Sequence, residues 1–149
     1  MSLNQEVELL KNIPLFARVE PSKLKLLAFA SERLTFNPGR ELFHQGDHAD
    51  KAYIIIEGDA AVLVDTPNGT IKVATLSKNA LVGEIGILCD VPRTATIKAE
   101  SKVVTLAIAR DVFFQMVTEF PQMGVEIMRE LARRLERTTA QLTQAVQKN

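Results

Sequence analysis

The chain lacks most of what would mark it as secreted, membrane-bound, nucleic-acid-binding or catalytic. Cys89 is its one cysteine among 149 residues. A single thiol forms no intrachain disulfide and no cysteine-based metal cluster, and it is compatible with a reducing interior. Charge of one sign is lacking too, since 18 basic residues balance 18 acidic ones. A nucleic-acid surface needs a basic excess or a clustered basic face. No apolar run approaches the ~20 residues of a membrane span, and the runs 53–56 and 106–109 are far too short. The N-terminus has neither the basic start nor the apolar centre of a secretory signal. Of the two histidines, His44 and His48 are separated by Gly46 in a strand-turn context. They share no helix face, which argues against a metal site. Neither has an evident catalytic partner, so an enzyme is the least favoured class. These absences predict a soluble, cytoplasmic chain with no membrane partner, no nucleic-acid partner of its own, no metal and no cofactor.

What is present predicts one domain spanning 1–149, long enough to bury roughly 68–70% of its unfolded surface. Three zones follow one another. Residues 4–33 read as a helical lead, with Leu9, Leu10, Ile13, Leu24, Leu27, Ala28 and Phe29 at helix-like spacing. Pro14 breaks a first helix, and Pro21 suits the start of a second. Residues 34–109 read as short strands punctuated by Pro38-Gly39, Gly46-Asp47, Gly58-Asp59 and Pro67-Asn68-Gly69. Asn68-Gly69, between runs 60–64 and 71–76, is the strongest hairpin signal. Later runs are 93–99 and 103–108. Residues 110–147 are helical again, with Asp111 as an N-cap, Pro121 as a second start, and no Gly or Pro after Gly124. The class is α+β, with antiparallel strands in a sandwich or barrel.

The chemistry concentrates in residues 82–95. Gly83 lets a backbone approach a ligand closely, and a helical turn starting there directs free N–H groups at an anion. Arg93, nine residues after Glu84, offers a fork of donors that matches a phosphate. Glu84 only accepts when ionised, so it suits a sugar hydroxyl; a carboxylate stabilised by a helix dipole is its structural alternative. An anion holder beside a hydroxyl holder describes a site for a phosphorylated sugar.

These residues resemble the phosphate-binding cassette of the cyclic nucleotide-binding domain family. Val82-Gly83-Glu84-Ile85-Gly86-Ile87, a gap of five, then Arg93-Thr94-Ala95 follow its pattern. Val82 stands where the family often has Phe, and either residue serves as an apolar anchor. Gly46-Asp47, then Tyr53-Ile54-Ile55-Ile56, then Gly58 resemble its framework. The resemblance implies a jelly-roll β-barrel flanked by N-terminal helices and two C-terminal helices. It implies a sensor of cAMP or cGMP with no catalysis of its own. Arg93 would pair with the exocyclic phosphate, and Glu84 would accept from the ribose 2′-hydroxyl. Gly83, Ile85 and Gly86 would supply backbone N–H groups. Thr94, followed by Ala95, permits guanine without demanding it. Val73, with Val62 and Val64, would line the wall against the base or sugar, although core packing explains them equally well.

From Val125 onward Met128, Leu131, Ala132, Leu135, Leu142 and Val146 make an amphipathic stripe. The steps from Met128 to Leu135 to Leu142 fit a coiled-coil seam, hence a homodimer through the C-terminal helix. They fit equally a helix packed on its own barrel. Arg133 and Arg134 suit stacking on a purine or a solvated basic face. Cys89 is expected as a small apolar filler of the cassette. Two further readings of function stand beside the stand-alone sensor. One is the sensory half of a catabolite-regulator-type transcription factor, and the other is a degenerate scaffold that binds no nucleotide. The intact pair Glu84 and Arg93 speaks against the second.

Overall fold

The computed structural model describes residues 3–147. Two helices, α1 (Leu3–Lys11) and α2 (Pro21–Ala30), flank a 3-10 turn at Pro14–Phe16. Strands β1 (Glu32–Phe36), β2 (Glu41–Phe43), β3 (Lys51–Glu57), β4 (Ala60–Thr66), β5 (Gly69–Leu76) and β6 (Leu81–Val82) follow. The short helix α3 (Glu84–Leu88) precedes β7 (Thr96–Ala99) and β8 (Val103–Ala109), and α4 (Arg110–Glu119) and α5 (Pro121–Gln147) complete the fold. The antiparallel architecture flanked by helices is the one expected. Its strands divide between two four-stranded sheets, ordered β1-β8-β3-β6 and β2-β7-β4-β5, so each sheet keeps free edges and no closed barrel forms among the described residues.

Alternation along β3 and β8 explains the layering, because successive side chains on a strand point to opposite faces. Ala52, Ile54 and Ile56, with Val104, Leu106 and Ile108, face the helices and meet Leu10, Phe16, Leu24, Phe113 and Met123. Tyr53 and Ile55, with Val103 and Ala107, face the other sheet and meet Leu42, Ala60, Ile97 and Ala99. Both faces of these strands are covered, so β3 reads as an unbroken apolar run from Ala52 to Ile56 and β8 as one interrupted only by the buried Thr105.

Several boundaries move for local reasons. The helical lead stops before residue 33, because the Ser31 N–H and hydroxyl both donate to the Leu27 carbonyl and Glu32 already pairs with Ala107. The run 93–99 becomes a strand only from Thr96. Arg93 is pinned beforehand to the Gly46-Asp47 turn, its N–H donating to Asp47 and its carbonyl accepting from Gly46. Ala109, not Asp111, is the N-cap of α4. The Asn68-Gly69 hairpin forms as expected, with Thr66 opposite Gly69 and Val64 opposite Ile71.

Helix α5 packs with a face that shares only Leu131 with the stripe picked out by periodicity. Met123 and Ile127 are buried and Leu131 rests on the core, whereas Met128, Leu135, Leu142 and Val146 point to solvent. Phe29 on α2 is likewise exposed.

Removing the Ile54 side chain from the helix-facing core (Ile54→Ala) should cost about 2–5 kcal/mol. Phe29→Ala, at an exposed position, should stay within about 0.5 kcal/mol of the parent. Urea denaturation midpoints at constant slope measure both.

Candidate functional site

The candidate site is built where β6 ends and α3 begins. Gly83 takes φ +85°, a left-handed conformation that side chains disfavour. A Cβ there would lie 2.6 Å from Arg93 Nη1 and 3.1 Å from the Phe43 ring. Gly86 is required by closeness instead, since its Cβ would sit 2.6 Å from the Ala49 Cβ. Ile87 and Leu88 anchor α3 in the core. Gly83, as N-cap, offers the first turn of α3 no side-chain partner, so N–H groups there are left without one from the helix itself.

Arg93 is 3% exposed. Its Nη1 donates to the Gly83 carbonyl at 2.8 Å and its Nη2 to the Lys51 carbonyl at 2.7 Å. The guanidinium carbon lies 3.9 Å from the Phe43 ring centroid, in cation–π geometry. Asp50 stands 3.8 Å away, itself largely in solvent. Burial pushes the Arg93 pKa below its usual value, with Tyr53, Asp50, Asp47 and Glu84 opposing. One donor, Nε, is buried without a hydrogen-bond partner. An unmet donor on a buried cation is costly, and an anion would satisfy it.

Glu84 is 1% exposed, in the first turn of α3. Its carboxylate accepts a 2.5 Å hydrogen bond from Arg134 Nη1 of α5, fifty residues away. Arg134 Nη2 also donates to the Leu81 carbonyl at 2.5 Å, and Glu130 lies 3.5 Å from its Nε. Burial raises the Glu84 pKa, while Arg134 pulls it back. A helix outside the sheets is thus tied to the loop that starts α3.

The residues expected at a site are partly gathered. Gly83, Gly86 and Arg93 lie together, and Glu84 is beside them but engaged by Arg134. Ile85 points outward, Thr94 is exposed and Ala95 is half-buried. Val73, on edge strand β5, is 48% exposed, and Val62 and Val64 on β4 are half-buried. None of the three belongs to the fully buried core. Cys89 is exposed and fills no space in the cassette. Arg133 pairs with Glu130 at 3.3 Å in solvent. The carbonyls of Gly83 and Lys51, the Phe43 ring and the Arg134 tie were not expected. Phe43, an aromatic on a short strand after a turn, was the one sequence signal among them. Among the described residues no three His, Cys, Asp or Glu side chains gather as a metal would need. No described helix is long and apolar enough to cross a membrane.

Comparisons with known proteins place the chain by sequence and fold. The family model for the cyclic nucleotide-binding domain matches residues 33–120. A CRP-like cAMP-activated global transcriptional regulator of Mycobacterium tuberculosis is 29% identical over 140 residues, 93% of this chain and 62% of that one. A cAMP-dependent protein kinase regulatory subunit of Blastocladiella emersonii is 32% identical over 109 residues, 72% of this chain and 27% of that one. The crystal structure of the Thermus thermophilus catabolite activator protein superposes with a TM-score of 0.78 at 25% identity, covering 87% of this chain and 61% of that one. The chain therefore spans less than two thirds of these relatives.

Arg134→Ala strands a buried carboxylate and should cost about 3–5 kcal/mol where Glu84 is ionised. Arg134 lowers the Glu84 pKa, so the variant's carboxyl holds its proton to higher pH. A carboxyl that binds its proton more tightly folded than unfolded loses folded-state stability as pH rises above the ordinary carboxylate range. The deficit should therefore grow between about pH 5 and about pH 8, as denaturation of the variant and the parent at both values would reveal.

Proposed function

Because the chain belongs to the cyclic nucleotide-binding domain family, we propose that it binds a 3′,5′-cyclic nucleotide, cAMP or cGMP, as a sensor with no catalysis of its own. Residues 1–149 are read as one binding domain, working in the cytoplasm. The observation that carries the reading is the buried Arg93 guanidinium, whose Nε lacks a partner and whose close approach to the backbone requires a glycine at 83. A cyclic phosphate would supply the missing acceptor, with backbone N–H groups of Gly83, Ile85 and Gly86 around it. The ribose 2′-hydroxyl would donate to Glu84. Thr94 and Ala95 would lie beside the phosphate, with the exposed Thr94 hydroxyl free to meet a guanine. Val73, with Val62 and Val64, would wall the base.

Glu84 makes such binding consequential. A ribose hydroxyl competes for the carboxylate that Arg134 holds. Occupancy of the cassette then biases the position of α5, which is a population shift between two helix placements.

A second reading concerns assembly. Met128, Leu135 and Leu142 repeat every seven residues on the exposed side of α5, and Ala132, Thr139 and Val146 follow each by four. That is the spacing of a coiled-coil seam. A second copy laid along it would give the dimer of a catabolite-regulator-type transcription factor, whose remaining parts this chain does not span.

Calorimetric titration of ligand-stripped protein with cAMP and cGMP tests the first reading, with saturable binding at one site per chain as the expected result. Arg93→Ala should cost about 2–5 kcal/mol, roughly 30- to several-thousand-fold in affinity. Normal binding by that variant would sink the phosphate assignment. Glu84→Ala should weaken binding and erase the disadvantage of 2′-deoxy analogues.

A further inference from the structure

We infer that the cleft between α5 and the turn joining β5 to β6 is a second binding site, for an anion with an apolar body, of the nucleoside phosphate class. The cleft uses none of the cassette's phosphate-holding residues, so this goes beyond the function proposed above. Its volume is about 370 Å³, within the range of pockets that enclose small ligands. Pro14 and Leu15 of the 3-10 turn, with Leu76 and Ala80, give it an apolar floor.

The charges around that floor are not balanced. Lys78, Arg133, Arg134 and Arg137 line the cleft against two carboxylates, Glu126 and Glu130. Both carboxylates are already engaged, Glu126 by Arg129 at 3.0 Å and Glu130 by Arg133 and Arg134. Arg134 is committed to Glu84. The side chains of Lys78 on the turn and Arg137 on α5 make no hydrogen bond or ion pair among the described residues. Two unpartnered cations on facing walls are brought together favourably by an anion between them. The turn is a fixed wall, because the Asn79 N–H donates to the Ile55 carbonyl at 2.7 Å and the Ile55 N–H to the Ala80 carbonyl at 3.0 Å. A flat apolar group would lie on the floor while its phosphates bridge Lys78 and Arg137.

The shared wall gives the site a sign. A ligand that bridges the turn and α5 holds the helix where Arg134 meets Glu84. It therefore opposes a ribose competing for that carboxylate, and the antagonism is mutual by linkage.

Magnesium-free ATP is the probe, titrated into ligand-stripped parent, Arg93→Ala, and the double variant Lys78→Glu with Arg137→Glu. Both altered charges of the double variant are solvent-exposed, and thermal unfolding checks that it and Arg93→Ala are folded before either is titrated. ATP should bind the parent at one site per chain with Arg93→Ala unaffected, and the double variant should bind roughly tenfold to a hundredfold more weakly. Saturating ATP should weaken cAMP binding at the cassette. Tripolyphosphate should bind more weakly than ATP, because it has no apolar body. Absence of ATP binding, its loss in Arg93→Ala, its persistence in the double variant, or parity of tripolyphosphate with ATP would each overturn the assignment. Failure of cAMP to bind the parent would instead count against the cassette reading, and the ATP results would stand apart from it.

Discussion

A guanidinium taken out of water costs several kcal/mol unless its donors are met, and Arg93 is almost wholly out of water. Much of the local structure follows from meeting them. Two backbone carbonyls, of Gly83 and Lys51, must turn inward to accept from it. Gly83 does so in the left-handed region, where a side chain would collide with Arg93 itself. Helix α3 starts at the next residue, so the same turn sets where its first N–H groups lie. The Phe43 ring covers the cation's face, and the Gly46-Asp47 turn clamps its backbone. These elements are far apart in the chain and converge because one buried cation requires all of them. The arrangement is complete except at Nε, the donor for which the proposed cyclic phosphate would be the acceptor.

The pair formed by Glu84 and Arg134 does a different job. A buried ion pair is weak evidence for net stability, because desolvation offsets its attraction, yet breaking it from one side is severe. Such a pair is therefore poor glue and a good switch element. Glu84 satisfied by Arg134 and, in the proposed complex, Glu84 satisfied by a ribose hydroxyl would be two distinct arrangements, each leaving α5 under different constraints. The raised Glu84 pKa reflects the same balance, with burial working against the charge and Arg134 supporting it.

What was legible in the sequence was local. The hairpin at Asn68-Gly69 follows from turn chemistry, and the two-sided burial of β3 follows from its unbroken run of apolar residues. Gly83, Glu84 and Arg93 were legible because close approach, acceptor-only and forked-donor requirements each restrict residue type. Facing was not legible. Periodicity found the apolar stripe on α5, but a helix with apolar residues on two faces does not say which one meets the core. Arg133 and Arg134 are adjacent and chemically identical. One reaches Glu84 and the other stays in solvent, a difference of about 100° of helix rotation that no composition records. Cys89 misled for a related reason. A cysteine just past a one-turn helix is apolar by type, yet it lies in solvent.

The two faces of α5 meet their limits at the same place. Met123, Ile127 and Leu131 hold the helix to the core, and Arg134 is the last residue of that face with any burial. Residues 135–146 are exposed, a length of roughly 18 Å at the rise of an α-helix. An isolated helical stretch of that length is marginal in water, so its order is borrowed from the anchored part or from something laid against it. Arg134 thus sits at the fulcrum where the helix leaves the domain. In the proposed switch, a change in how Glu84 is satisfied would act there, at the base of a long lever, and would displace the exposed stretch carrying Leu135 and Leu142. A contact made farther down the helix would have no such leverage, and one made farther up would be locked by the core.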